Sequence, residues 1–111
     1  MALKHYSPLE VIDLKSSNTI EKTNNVSLIK TLHLQLVRLE LSEGHQMPMH
    51  HVPGEITLHC LSGKVDIEVP TGVCHLETGQ IVVLDGGQPH SLLALSPSVV
   101  LLTLLHPAPS A

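Results

Sequence analysis

Two histidines are the residues of this chain that point most directly at chemistry. His50 closes the segment Gly44-His45-Gln46-Met47-Pro48-Met49-His50, and His90 closes the segment that runs from Gly79 through Asp85-Gly86-Gly87-Gln88-Pro89. Both segments are strand-like and punctuated by glycine. Imidazole changes charge near neutral pH and is a common metal ligand. Two such rings brought together in a β barrel can hold a metal ion or a small acidic ligand. Nine histidines is a high count for 111 residues. His5, His33, His45, His75 and His106 fall where strand edges or loops are expected, and a solvated imidazole is ordinary there.

The elements that must position the pair read as short strands divided by turn signals. Leu9-Glu10-Val11-Ile12-Asp13-Leu14 is a first strand, with turns at Ser16-Ser17-Asn18 and Thr23-Asn24-Asn25. Val26 to Lys30 and Thr31 to Leu41 form a long extended stretch. Its apolar phase slips from Leu32, Leu34, Leu36 to Val37, Leu39, Leu41, which predicts a bulge or barrel corner near Leu36-Val37. Strands follow over Glu55 to Leu61, Val65 to Val69, Val73 to Glu77, Gln80 to Leu84, His90 to Leu95 and Val99 to Leu105. Pro107 to Ala111 reads as a frayed tail. Many strands and no convincing helix argue an all-β sandwich or barrel.

Composition narrows the function classes. One domain is expected from the length, with a core long enough to need no disulfide staples. The chain has 20 leucines, one Tyr and neither Phe nor Trp, so aliphatic packing fills the core and no aromatic platform exists for bases or sugar rings. The formal charge is −4, and the six Lys and Arg residues are scattered, which disfavours nucleic acid. No apolar run approaches a membrane span and no signal-peptide core follows Met1, so a cytoplasmic protein is expected. Cys60 and Cys74 are expected to stay reduced.

The glycine and histidine spacing resembles the cupin superfamily, the small RmlC-like barrels. Cupins carry G-x5-H-x-H-x3-E-x6-G followed by G-x5-P-x-G-x2-H-x3-N. The first pattern runs here from Gly44 through His50 to Gly63 with every spacing kept. The second runs from Gly79 through Gly87 and His90 to Ala94. The resemblance implies a double-stranded β-helix, or jelly-roll cupin barrel, over residues 1–111. Its parts would be N-terminal strands in 9–41, the first motif at 44–63, the second at 79–94 and a C-terminal strand at 99–105.

The departures bear on activity. Val52 stands where the family places its second His, Ile56 where it places Glu, Asp85 where it places Pro and Ala94 where it places Asn. A full cupin site gives His, His, Glu and His to one divalent metal, and only His50 and His90 match. First-row ions want three or four protein ligands. A third donor would come from Cys60, His51, Glu55 or His59. Alternation favours Cys60, because an inward Ile56 brings Leu58 and Cys60 inward and turns Glu55, Thr57 and His59 away. Val52, Ile56, Leu58 and Met49 are the expected pocket residues. Met47 and Met49 flank the pocket and are read as lining its mouth or filling gaps, with a soft Met/His/Cys copper set as the alternative. Arg38 and Glu40 share one strand face, read as a solvated pair, with an interior carboxylate anchor as the alternative.

Two classes of function follow. One is an enzyme of dioxygenase or isomerase type with a divalent Fe, Mn, Ni, Cu or Zn ion. The other is a non-catalytic barrel that binds or senses a small molecule without metal, or serves only as a structural dimer. A homodimer is expected in either case, since Thr31 to Leu41 and Val99 to Leu105 carry apolar residues on both faces.

Overall fold

A computed structural model describes residues 5–15 and 23–106. Among these residues there is no helix. Nine strands run β1 (Asn24–Lys30), β2 (Leu34–Leu41), β3 (Gln46–His50), β4 (Ile56–Ser62), β5 (Lys64–Val69), β6 (Gly72–Glu77), β7 (Ile81–Leu84), β8 (His90–Ala94) and β9 (Ser98–Leu105). They form a five-stranded sheet in the order β1-β2-β9-β4-β7 and a four-stranded sheet in the order β3-β8-β5-β6. All the pairs are antiparallel. This is the expected all-β jelly roll.

The core lies between the sheets and is almost wholly aliphatic. Leu39, Leu41, Ile56, Leu58, Cys60, Leu84 and Val100 come from one sheet, and Val65, Ile67, Leu76, Leu92 and Ala94 from the other. β4 alternates as its sequence requires: Ile56, Leu58 and Cys60 are buried, and Thr57, His59 and Leu61 are half-buried on the other face. The leucine-rich composition thus becomes a branched aliphatic layer that interdigitates without aromatic bulk.

Several expected elements differ. Residues 9–14 form no strand, and Leu9 takes a left-handed turn conformation, φ 72°, instead. The turn expected at Ser16-Ser17-Asn18 and the tail from Pro107 lie outside the described residues. Asn24 and Asn25 are not a turn: they begin β1, opposite Glu40 and Leu39. The extended stretch is broken at Thr31. Its hydroxyl accepts from the Leu34 amide at 3.0 Å and its own amide donates to the Leu34 carbonyl at 2.7 Å, which closes a hairpin.

The bulge expected at Leu36-Val37 exists, but the extra residue is on the partner strand. Ser27 faces Val37 and Ile29 faces Leu36, so Leu28 is the inserted residue of β1, and it is buried. β2 itself does not slip. Val37, Leu39 and Leu41 point into the core, while Leu34, Leu36 and Arg38 take the outer face. The apparent phase change reflects a strand that is apolar on both sides. β3 falls in the strand-like segment that ends at His50, although Pro48 interrupts it. Proline is tolerated there because β3 is an edge.

Gly63 shows why a motif glycine is required. Its φ is +97°, and a Cβ there would sit 2.6 Å from the Pro97 carbonyl oxygen and 2.8 Å from Ser98 Cα. We expect Gly63→Ala to lower the unfolding free energy by about 2–4 kcal/mol, since the clash is with backbone and the φ is unfavourable. Leu58→Ala should cost about 3 kcal/mol by leaving a cavity between the sheets. Urea unfolding monitored by circular dichroism measures both.

Candidate functional site

The site is built where β3 meets β8. His50 and His90 are direct cross-strand partners, and their ring centroids lie 4.6 Å apart with planes at 53°. Folding therefore joins the two imidazoles. His90 is only 3% exposed, while His50 stands exposed at the mouth. Each ring is held by its own strand entry. His50 Nδ1 lies 3.2 Å from the Pro48 carbonyl oxygen, and His90 Nδ1 lies 3.0 Å from that of Gln88. A carbonyl can only accept, so Nδ1 donates in both bonds and the neutral rings keep their Nε2 lone pairs. Such a backbone tether commonly orients a ligating histidine.

A bulge decides which β3 side chains join the pair. Met47 faces Leu92 and His50 faces His90, so three steps along β3 match two along β8. One extra residue in Pro48-Met49 turns Met47 and His50 to the same side. The resulting cavity, about 30 Å3, is lined by Met47, His50, His90, Leu39, Leu58, Leu92 and Leu102. The loop before β8 is pinned to the loop after β3: Gly87 N–H donates to the Val52 carbonyl at 2.7 Å. Gly87 takes φ +81°, as its position before the His90 strand suggested. Gly86 does not need positive φ; it must be small because the Pro53 carbonyl oxygen occupies the space a Cβ would take.

The other expected site residues divide. Leu58 lines the cavity. Ile56 is a core residue and Val52 packs half-buried against the core; neither lines the cavity with the pair. Met49 corrects to Met47: Met49 is 47% exposed, because the bulge turns it outward. His51 and Glu55 are exposed, and His59 lies on the outer face of β4 opposite Leu101 and Ile81. Cys60 points inward as alternation required, but deeper in the core. Its Sγ donates weakly, at 3.5 Å, to the Ser62 and Gly63 carbonyls. Among the described residues no three His, Cys, Asp or Glu side chains cluster closely enough to hold a metal ion. Arg38 sits on the outer face, 3.8 Å from Glu40, not inside the barrel. Leu39, Leu92 and Leu102 are lining residues that sequence reasoning did not select. Their signal was the same leucine periodicity that marks the core.

These features define a cupin. The family model described as "Cupin domain" matches residues 37–105, and the chain belongs to that family. A conserved protein of unknown function from Streptococcus pyogenes is similar at 25% identity and TM-score 0.80, covering 97% of this chain and 95% of that one. KdgF from a Halomonas species superposes with TM-score 0.69 at 18% identity, covering 85% and 87%. The DMSP lyase DddQ from Ruegeria pomeroyi superposes with TM-score 0.71 at 17% identity, covering 88% of this chain and 54% of that one. No match was found among functionally curated proteins. No helix in the described residues is long and apolar enough to cross a membrane.

Burial raises the Cys60 thiol pKa above its ordinary value; a hydrogen bond with the Ser62 backbone opposes this and the Glu77 charge adds to it. A raised thiol pKa favours the protonated folded form. Its stabilising contribution is complete below the unfolded thiol pKa of about 8.5 and is lost as pH climbs from there through the folded value. Iodoacetamide at pH 8 should therefore modify the half-buried Cys74 first and reach Cys60 only after unfolding, as peptide mass mapping would show.

Proposed function

We propose that this cupin is a binding barrel that holds a metal ion or another small guest between His50 and His90. The observation that carries the reading is the pairing itself: two imidazoles 4.6 Å apart, each tied back through Nδ1, with both Nε2 lone pairs uncommitted. Met47, Leu39, Leu58, Leu92 and Leu102 complete the lining. The guest enters past His50, the exposed member, and meets His90 beneath it.

The four-ligand divalent centre implied by the family does not fit these residues. Val52 and Ile56 stand where the family places the second His and the Glu, and among the described residues no other carboxylate or imidazole joins the pair in a metal-sized cluster. A divalent ion would carry two charges into an aliphatic lining with no anion to neutralise them. No catalytic step is routed through such an ion, and dioxygenase or isomerase chemistry of that kind is not proposed. The size of the cavity also favours binding of something ion-sized, since pockets that enclose organic substrates are usually about 300–1,000 Å3.

Histidine ring nitrogens report on this directly. In long-range 1H–15N spectra, His50 and His90 should both show the Nδ1-protonated tautomer. Their Nε2 resonances should move on titration with Zn2+, Cu+ or acetate, whichever binds. His50→Ala and His90→Ala should each weaken the response at least about tenfold. Two rings that ignore every probe, or a response that survives both substitutions, would end this reading.

We also propose a homodimer that covers the outer face of the five-stranded sheet. Ile81 and Val83 on β7 and Leu105 on β9 are 58%, 59% and 47% exposed there, and Leu34, Leu36 and Leu101 also face outward, with Thr57 and His59 of β4 between the two groups. Exposed apolar patches of this kind are common contact surfaces between copies. Light scattering should give twice the mass of a chain, and Ile81→Asp with Val83→Asp should give the single mass. A wild-type protein that runs as a monomer at high concentration would refute the dimer.

A further inference from the structure

The bulge in β3 does more than orient His50. It places a thioether, Met47, on the same cavity as the two imidazoles. Three uncharged side chains that carry donors of the right kind, the Nε2 atoms of His50 and His90 and the Sδ of Met47, then line one cavity from two adjacent strands. We infer that this set is a three-coordinate site for a soft monovalent cation, Cu(I). The inference rests on the His50–His90 binding reading and names its guest.

Four observations select Cu(I). First, thioether sulfur is a soft donor that favours Cu(I), whereas carboxylate and water favour the harder divalent ions. Second, two or three ligands satisfy a d10 monovalent ion, whereas the divalent first-row ions want the third and fourth protein ligands missing here. Third, the remaining lining is Leu39, Leu58, Leu92 and Leu102. The cost of moving an ion into such surroundings rises with the square of its charge, so one charge is tolerated far better than two. Fourth, the cavity of about 30 Å3 suits an ion more than an organic molecule. In the neutral rings the Nδ1 tethers to Pro48 and Gln88 leave both Nε2 atoms with their lone pairs.

The site also has an order of assembly. His90 is buried and fixed, and His50 is exposed at the mouth. An incoming ion meets His50 first and settles against His90 and Met47. The guanidinium of Arg38 is on the far side of the five-stranded sheet, so no fixed cation of that strand opposes entry.

The test is an anaerobic titration of Cu(I) against bicinchoninate, in a Cys74→Ser background so that the accessible thiol does not compete. One Cu(I) per chain should be withdrawn from the chelator, and Zn2+ should bind at least about a hundredfold more weakly. Met47→Leu conserves volume and should fold normally by circular dichroism. It should weaken Cu(I) by at least about tenfold, leave the Zn2+ response of the histidines unchanged, and remove the copper–sulfur scattering seen in X-ray absorption. Equal Cu(I) affinity in wild type and Met47→Leu, or failure to withdraw copper at all, overturns the Cu(I) inference alone. The His50–His90 reading then stands or falls on the ring-nitrogen titration. Copper binding that persists in both His50→Ala and His90→Ala overturns the inference and the reading beneath it.

Discussion

One inserted residue governs this site. Between Met47 and His50 the edge strand β3 takes three steps while β8 takes two. Without that extra residue, strict alternation would place Met47 and His50 on opposite faces. One of them would then leave the cavity. With it, His50 meets His90 across the ladder and Met47 stands beside both. Pro48 lies inside the bulge, where its missing amide costs no ladder hydrogen bond of consequence because β3 is an edge. The geometry of the cavity therefore depends on an irregularity of the backbone, held in place by a regular sheet behind it.

That regular sheet is aliphatic throughout. Leucine, isoleucine and valine fill the space between the sheets, and Cys60 behaves as one more small hydrophobe, with its thiol turned to the backbone carbonyls of Ser62 and Gly63. The same material lines the cavity floor. The two positions where the family carries polar ligands, here Val52 and Ile56, have gone over to the apolar side: Ile56 is 2% exposed within the core. The histidine pair sits over a small aliphatic cavity, and an uncompensated carboxylate in such surroundings would be costly.

Much of the fold was legible in residue order. Clean alternation from Val65 to Val69 against acidic partners gave β5 nearly to the residue. The glycines at 63 and 79 marked turns that do take positive φ. Two misreadings have physical causes. Residues 9–14 alternate well enough for a strand but pair with no other strand, and alternation alone cannot supply a neighbour. The phase slip at Leu36-Val37 came from outward leucines on β2, and the bulge itself was carried by Leu28 of the opposite strand. In the site, alternation correctly turned Cys60 inward, yet inward is a direction and not a place: Cys60 sits near the Gly63 end of β4, away from the pair.

What residue order determined by itself was the class of fold and the identity of the two imidazoles. The spacing of the glycines is legible because turns with positive φ need them at fixed places, Gly44, Gly63, Gly79 and Gly87 among them. What only tertiary structure decided was the rest of the site: which methionine faces the histidines, how close the rings come, how little room lies between them, and that none of the four candidate third donors stands beside them. Those facts depend on a one-residue shift of register in an edge strand. A shift of that kind leaves no mark in composition or periodicity, since it exists only as a relation between two strands.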